Sequence, residues 1–244
     1  MTPRPVLVAC AHGTRNAVGA GTVHDLVEAV RAAAPDLAVR EAFVDVQQPE
    51  VDDVVAGCEQ PAVVVPLLLT AGFHVHVDIA RAIEGRDAVR TDPLGCDPAL
   101  MAVLVDRLRA AGSRPGDAVV LAAAGSSDPR SKREVGRAAH LLGKLLGGPV
   151  RVGYVASGAP TVTQQVASLR SQWPQARVAV AAYLLAPGIF WNRLHDAGAD
   201  VVSDPLLLPG TPPDPRLVDL VLRRHAEGAT ALASAGGTSL PSAI

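Results

Sequence analysis

Aromatic residues make up only 3% of this 244-residue chain, so its core must be built from valine, leucine and alanine. Cysteine is also scarce. Cys10, Cys58 and Cys96 are odd in number and lack CxxC spacing, which argues against a disulfide framework or a zinc cluster. They read as small hydrophobes in a reducing compartment, and a cytoplasmic protein is expected. No run of about 18 apolar residues occurs, so no membrane span is expected. The segment Met1 to Pro5 leads straight into a strand and has none of the features of a signal peptide. Formal net charge is only −2, against the basic surface that nucleic acid requires. Neither GxGxxG nor GxxxxGK[ST] follows the first strand, so no nucleotide cofactor is expected. A GxSxG nucleophile elbow is absent too. His12-Gly13 lacks the preceding arginine of a histidine phosphatase, because Ala11 stands there.

What is present is a hydrophobic content of 49% with 19% charged residues, enough for a substantial core. Apolar runs at Val6–Ala11, Val39–Val46, Ala62–Leu69 and Ala88–Arg90 predict strands. Helices are predicted at Val18–Ala33, Pro49–Gly57, Val75–Ile83 and Pro98–Ala111. Ser113 to Asp117 has linker composition. The order then repeats: strands at Ala118–Ala123, Val150–Ala156 and Arg177–Leu185, with helices at Pro129–Leu146, from Thr161 and from Gly188. Strand–helix alternation implies parallel sheets flanked by helices, an α/β fold.

The repeat can be read residue by residue. His12-Gly13-Thr14 matches Ala124-Gly125-Ser126, and Phe43-Val44-Asp45 with Pro49 matches Tyr154-Val155-Ala156 with Pro160. Leu68 to His74 matches Leu184 to Phe190, and Asp92-Pro93-Leu94 matches Asp204-Pro205-Leu206. Two tandem copies follow, over 1–112 and 118–227 with the linker 113–117 between them. The Gly/Ser/Thr/Ala-rich stretch 228–244 reads as a disordered tail. Turn-shaping glycines and prolines persist in both copies, whereas His12, His74 and Asp45 are replaced by Ala124, Phe190 and Ala156. A group needed for folding would persist in both. One active copy and one structural copy are therefore expected.

His12 and His74 fall at the ends of strands that a parallel sheet would place side by side, where α/β sheets keep their sites. Imidazole titrates near neutrality and binds iron, cobalt, nickel or zinc. With Asp45 the pair could form a two-nitrogen, one-carboxylate metal site. Gly13 and Gly72 would allow close backbone approach to a ligand. Arg15, Arg81, Arg130, Lys132 and Arg133 follow strand ends or open helices, where guanidinium groups can grip carboxylates. Phe73, Phe190 and Trp191 could wall a flat ligand or pack the seam between copies. His76 reads as a surface histidine. His24, His140, His195 and His225 carry no signal.

At these residues the chain resembles the sirohydrochlorin chelatases, the class II chelatases, in their long two-domain form. The likeness rests on His12–Arg15, Phe43–Pro49, and Val65–His74 followed by Asp78. It implies two chelatase-like domains facing each other across a cleft, with the active site in the first. It also implies that Fe2+ or Co2+, or else Ni2+, is inserted into sirohydrochlorin on the way to sirohaem or cobalamin. His12 and His74 would be catalytic and, with Asp45, would hold the metal. Asp45 stands where the family commonly carries glutamate. Arg15, Gly13, Gly72, Phe73 and Arg130 would contact the tetrapyrrole. Two copies in one chain imply a monomer. The rival reading is a carrier of tetrapyrrole or metal that hands its cargo on without turnover. A third is a hydrolase with Thr14 as nucleophile.

Overall fold

A computed structural model describes residues 4–70, 72 and 77–236. The first half contains β1 (Val6–Ala11), α1 (Ala17–Ala33), β2 (Val39–Phe43), α2 (Val51–Ala56), β3 (Ala62–Pro66), α3 (Asp78–Ile83) and β4 (Ala88–Arg90), followed by α4 (Pro98–Ala110). The second contains β5 (Ala118–Gly125), α5 (Pro129–Leu146), β6 (Val150–Ser157), α6 (Val162–Gln172), β7 (Val178–Tyr183), α7 (Ile189–Leu194), β8 (Val201–Val202) and α8 (Pro215–Gly236).

Each half forms a four-stranded, wholly parallel sheet, in the orders β2-β1-β3-β4 and β6-β5-β7-β8. The duplication extends to single hydrogen bonds. Phe43 N–H donates to Pro49 O and Tyr154 N–H donates to Pro160 O, both at 3.0 Å. Helix starts repeat their chemistry as well. Asp97 and Asp214 each cap a helix opened by proline, accepting from the Ala99 and Arg216 amides. Thr161 and Gln164 form a reciprocal capping box at α6.

Strand alternation sorts the apolar side chains into three clusters. Val6, Val8 and Cys10 pack with α2 and α3 on the outer face of the first sheet. Val120, Ala122, Val178 and Val180 pack with α6 and α7 on the outer face of the second. The inward residues Leu7, Ala9, Val63 and Val65 share one continuous core with Val119, Leu121, Ala179 and Ala181. Helices α1, α4, α5 and α8 lie between the sheets and fill it.

Two helices cross between the halves. α4, from the first copy, packs on β7 and α5. α8, from the second, packs on β3, β4 and α1. The composition of residues 228–244 suggested a tail, but α8 continues to Gly236, and residues 237–244 lie outside the described part. The helix persists because Gly228 lets its backbone approach Val63 and Thr91, and because Ala229 and Leu232 pack on the shared core. His225 Nε2–H donates to Pro5 O at 2.9 Å, and Arg223 meets Asp97 at 2.8 Å. The surface on which α8 packs is made by the other half, and tertiary packing rather than propensity supplies most of a helix's stability.

Several strands are shorter than the apolar runs predict. β2 ends at Phe43 and β3 at Pro66, since the chain then leaves the ladder to form the turns described next. Among the described residues no helix is long and apolar enough to cross a membrane.

Candidate active site

The strand order puts β1 between β2 and β3, so the chain leaves β1 towards one side and returns on the other. The carboxyl edge beside β1 is then the natural crevice of the first sheet. Three turns meet there. His12 follows Ala11 directly, and the Asp45 amide donates to His12 O at 3.1 Å. Gly13 has φ +91, and a methyl group on it would overlap the Asp45 carbonyl oxygen. The Thr14 amide donates to Gln47 Oε1 at 2.8 Å. From the other side, Leu67 N–H donates to Cys10 O at 2.8 Å, leading into the segment that carries Gly72.

The structure thus joins the His12 turn to the Asp45 turn through backbone bonds. The His12 side chain is exposed, with Nδ1 3.2 Å from Gly13 O. One Asp45 carboxylate oxygen accepts the Val46 amide at 2.7 Å, at a residue with φ +67. This carboxylate therefore shapes its own turn. His74, Phe73 and His76 lie outside the described residues. Among the described residues, no three His, Cys, Asp or Glu side chains converge to hold a metal ion.

The turns of the second half approach the same edge. Ser131, in the first turn of α5, donates its hydroxyl to Thr70 Oγ1 at 3.0 Å. Gly72 faces Ser126, whose Oγ would lie 3.7 Å from a methyl group on it. Gly19 of α1 stands against Pro187 O, where a methyl group would come within 2.6 Å. Arg130, Lys132 and Arg133 flank Ser131 and are exposed. Arg15 is exposed next to the His12 turn. Arg81 is occupied elsewhere, since it pairs with Asp52 of α2 at 2.8 Å.

Trp191 donates Nε1–H to Ser203 O at 3.0 Å and meets the His195 ring edge-on. Together with Phe190 it packs on the outer cluster of the second sheet, so neither ring walls the edge beside β1. Thr14 is no poised nucleophile: its hydroxyl accepts the Asn16 amide at 3.1 Å as the chain enters α1. Cys10 is buried and its thiol is pushed up to about 12 by desolvation, which leaves it inert. Gln47, Ser126, Ser131 and Tyr183 are residues that sequence reading missed. The signal available for Ser131 was that Gly19 holds its place in the first copy. A separate hollow of about 300 Å³, lined by Cys58, Glu59, Arg86 and Asp87, opens at the opposite, amino edge and touches none of these groups.

The CbiX family model matches residues 6–111 and matches again over 118–227. The chain belongs to the CbiX family. Among relatives of this CbiX-family chain, a sirohydrochlorin ferrochelatase of Priestia megaterium is 29% identical over 214 residues, 82% of this chain and 79% of that protein. The fold of the present chain is that of SirB from Bacillus subtilis with Fe3+, at TM-score 0.78 and 22% identity over 96% of this chain and 98% of the other. The sirohydrochlorin chelatase SirB from Bacillus subtilis subspecies spizizenii in complex with cobalt superimposes with TM-score 0.71 at 21% identity, over 95% and 97%. At these identities the structural likeness concerns the fold.

Proposed function

We propose that this chain is a sirohydrochlorin chelatase that inserts Fe2+ or Co2+ into its tetrapyrrole substrate, with Ni2+ as a third candidate. One observation carries the reading. In sequence His12 and His74 follow the strands β1 and β3, while the matching positions in the second copy carry Ala124 and Phe190. Membership of the CbiX family and the ferrochelatase relative favour it.

Metallation needs a partly dehydrated divalent ion to reach the ring as two pyrrole N–H protons leave. His74 is assigned as principal base or metal-presenting group and His12 as its partner, with the His12 Nδ1 against Gly13 O. Asp45 would supply a carboxylate from the neighbouring turn, which the Asp45–His12 backbone bond joins to the His12 turn. The substrate carries carboxylates around its rim. Arg15 and Arg130, joined by Lys132 and Arg133, are placed to grip them in fork or point contacts. Gly13, Gly72 and Phe73 would line the ring's approach. No nucleotide enters this chemistry. The chain would act as a monomer in the cytoplasm, because one chain supplies both halves of the edge.

The test is anaerobic absorbance of sirohydrochlorin with substoichiometric protein, with Fe2+ and Co2+ in turn. Many turnovers per chain, lost in the His12→Ala/His74→Ala double variant, are expected. A spectral change that saturates at one ring per chain would instead establish a carrier.

A further inference from the structure

The shared core contains a phenol that the chemistry above does not use. Tyr183, the last residue of β7, is 2% exposed. Its hydroxyl donates to Leu69 O across the seam at 3.0 Å and accepts the Cys96 amide at 3.3 Å. Gly95 completes the nest: a methyl group there would overlap Leu69 O and come within 2.5 Å of the phenol oxygen. Immediately beyond, Thr70 receives the Ser131 hydroxyl, and Ser131 is itself 3% exposed. Two consecutive residues of the first half are thus held by buried side chains of the second. His74 follows Thr70 by four residues in the chain.

The equivalent positions of the other copy provide the control. Leu185 stands in the place of Leu69, and its carbonyl receives the Leu207 backbone amide at 2.9 Å rather than a side chain from the opposite half. Leu67 stands in the place of Tyr183, Gly19 in that of Ser131 and Ala186 in that of Thr70. Where the first half would reach back, Gly19 meets Pro187 without a side chain to donate. Polar side-chain tethers at these positions run from the copy that carries Ala124 and Phe190 to the copy that carries His12 and His74. Packing alone does not require that asymmetry, since the glycine-to-proline contact closes the same seam on the other side.

We propose that Tyr183 and Ser131 are positioning residues for metallation: they hold the Leu69–Thr70 backbone, from which the chain runs on to His74. The inference rests on the chelatase reading, through the role given to His74. It assigns the second copy a task beyond half of the core, that of a bracket for the active turn. A small displacement of a reacting group costs up to about 100-fold in rate, so loss of one tether should be visible in turnover before it is visible in binding.

Tyr183→Phe, Ser131→Ala and Thr70→Val should each lower kcat by roughly 10-fold or more with KM for sirohydrochlorin within about twofold. Ser131→Ala and Thr70→Val should be non-additive when combined, because they break one bond. Tyr154→Phe, which removes a phenol from β6 that takes no part in the Leu69 and Thr70 bonds, should leave kcat unchanged. A merely structural role predicts lower Tm with unaltered kcat per folded molecule, and that result would overturn the proposal. Should Tyr183→Phe fail to fold, the Ser131–Thr70 pair decides on its own. A wild-type protein that does not turn over sirohydrochlorin would sink the chelatase reading, whereas wild-type turnover with unchanged kcat in all three variants would sink only the bracket.

Discussion

Gly13 lies directly against the backbone carbonyl of Asp45, and that contact joins the histidine turn to the carboxylate turn. Its φ of +91 and the oxygen in the place of a Cβ leave no room for a side chain. Gly13→Ala should lower stability by about 1–3 kcal/mol and part the two turns. Thermal unfolding and metallation rate should fall together; a variant with normal values of both would refute the contact's importance.

Asp45 shapes its own turn, and the role proposed for its charge in metallation can be separated from that one. Its carboxylate accepts the Val46 amide, at a residue with φ +67, and its own amide is bonded to His12 O. Asp45→Asn keeps an acceptor oxygen for the turn while removing the charge. Stability should change by less than about 0.5 kcal/mol, as for a surface substitution, while kcat drops about 10-fold or more if the charge assists the metal or proton. Asp45→Ala should reduce both, since it leaves the turn amide without its partner. Equal kcat for wild type and Asp45→Asn would confine Asp45 to a turn-forming role.

Gly228 gives a case where helix propensity and packing oppose each other. In an isolated helix Gly→Ala gains about 1 kcal/mol. Here the new methyl group would overlap Val63, a fully buried strand residue, and lie 3.0 Å from Thr91 Cγ2. Overpacking costs about 1–3 kcal/mol, so packing wins and Gly228→Ala should be destabilising. Truncation after Glu227 should also lower Tm, because it removes Ala229 and Leu232 from the shared core. Chemical denaturation of both variants checks this, and a stabilised Gly228→Ala would show that α8 is not docked as described.

His225 should make stability fall in mild acid. It is 8% exposed, and burial holds its pKa below the ordinary 6.5. Unfolded chain takes up the proton as pH drops through 6.5, whereas the folded chain resists it until a lower pH. Stability is therefore intact above 6.5 and is lost from there down to the folded value. His24 acts in the opposite sense, since its bond to Glu41 raises its pKa and adds stability that fades as pH rises. Its side chain is 54% exposed, so solvent screens that contribution and His225 dominates. Tm measured at pH 7.5 and 5.5 should diverge in the wild type, and His225→Gln should reduce the difference.

Much of the architecture was legible before any coordinates. Apolar runs with valine and alanine located the strands, because a parallel strand covered on both faces needs continuous apolar sequence. The duplication was legible because turn glycines and Asp-Pro helix starts are imposed by backbone geometry, which both copies share. His12 and Asp45 were marked by their loss from the second copy, and the parallel sheet does bring their turns together.

Local sequence by itself determined the parallel α/β halves, their repeat, and the turns that carry the candidate chemistry. Tertiary structure alone decided where α4 and α8 pack, because a helix takes the apolar surface it finds, and each found one belonging to the other copy. It also decided that Arg81 pairs with Asp52, that Trp191 serves the outer core, and that Tyr183 and Ser131 reach Leu69 and Thr70. Those partners are 29, 12, 114 and 61 residues apart in sequence. No periodicity or motif encodes such pairings. They exist only once two sheets have closed on one layer of helices.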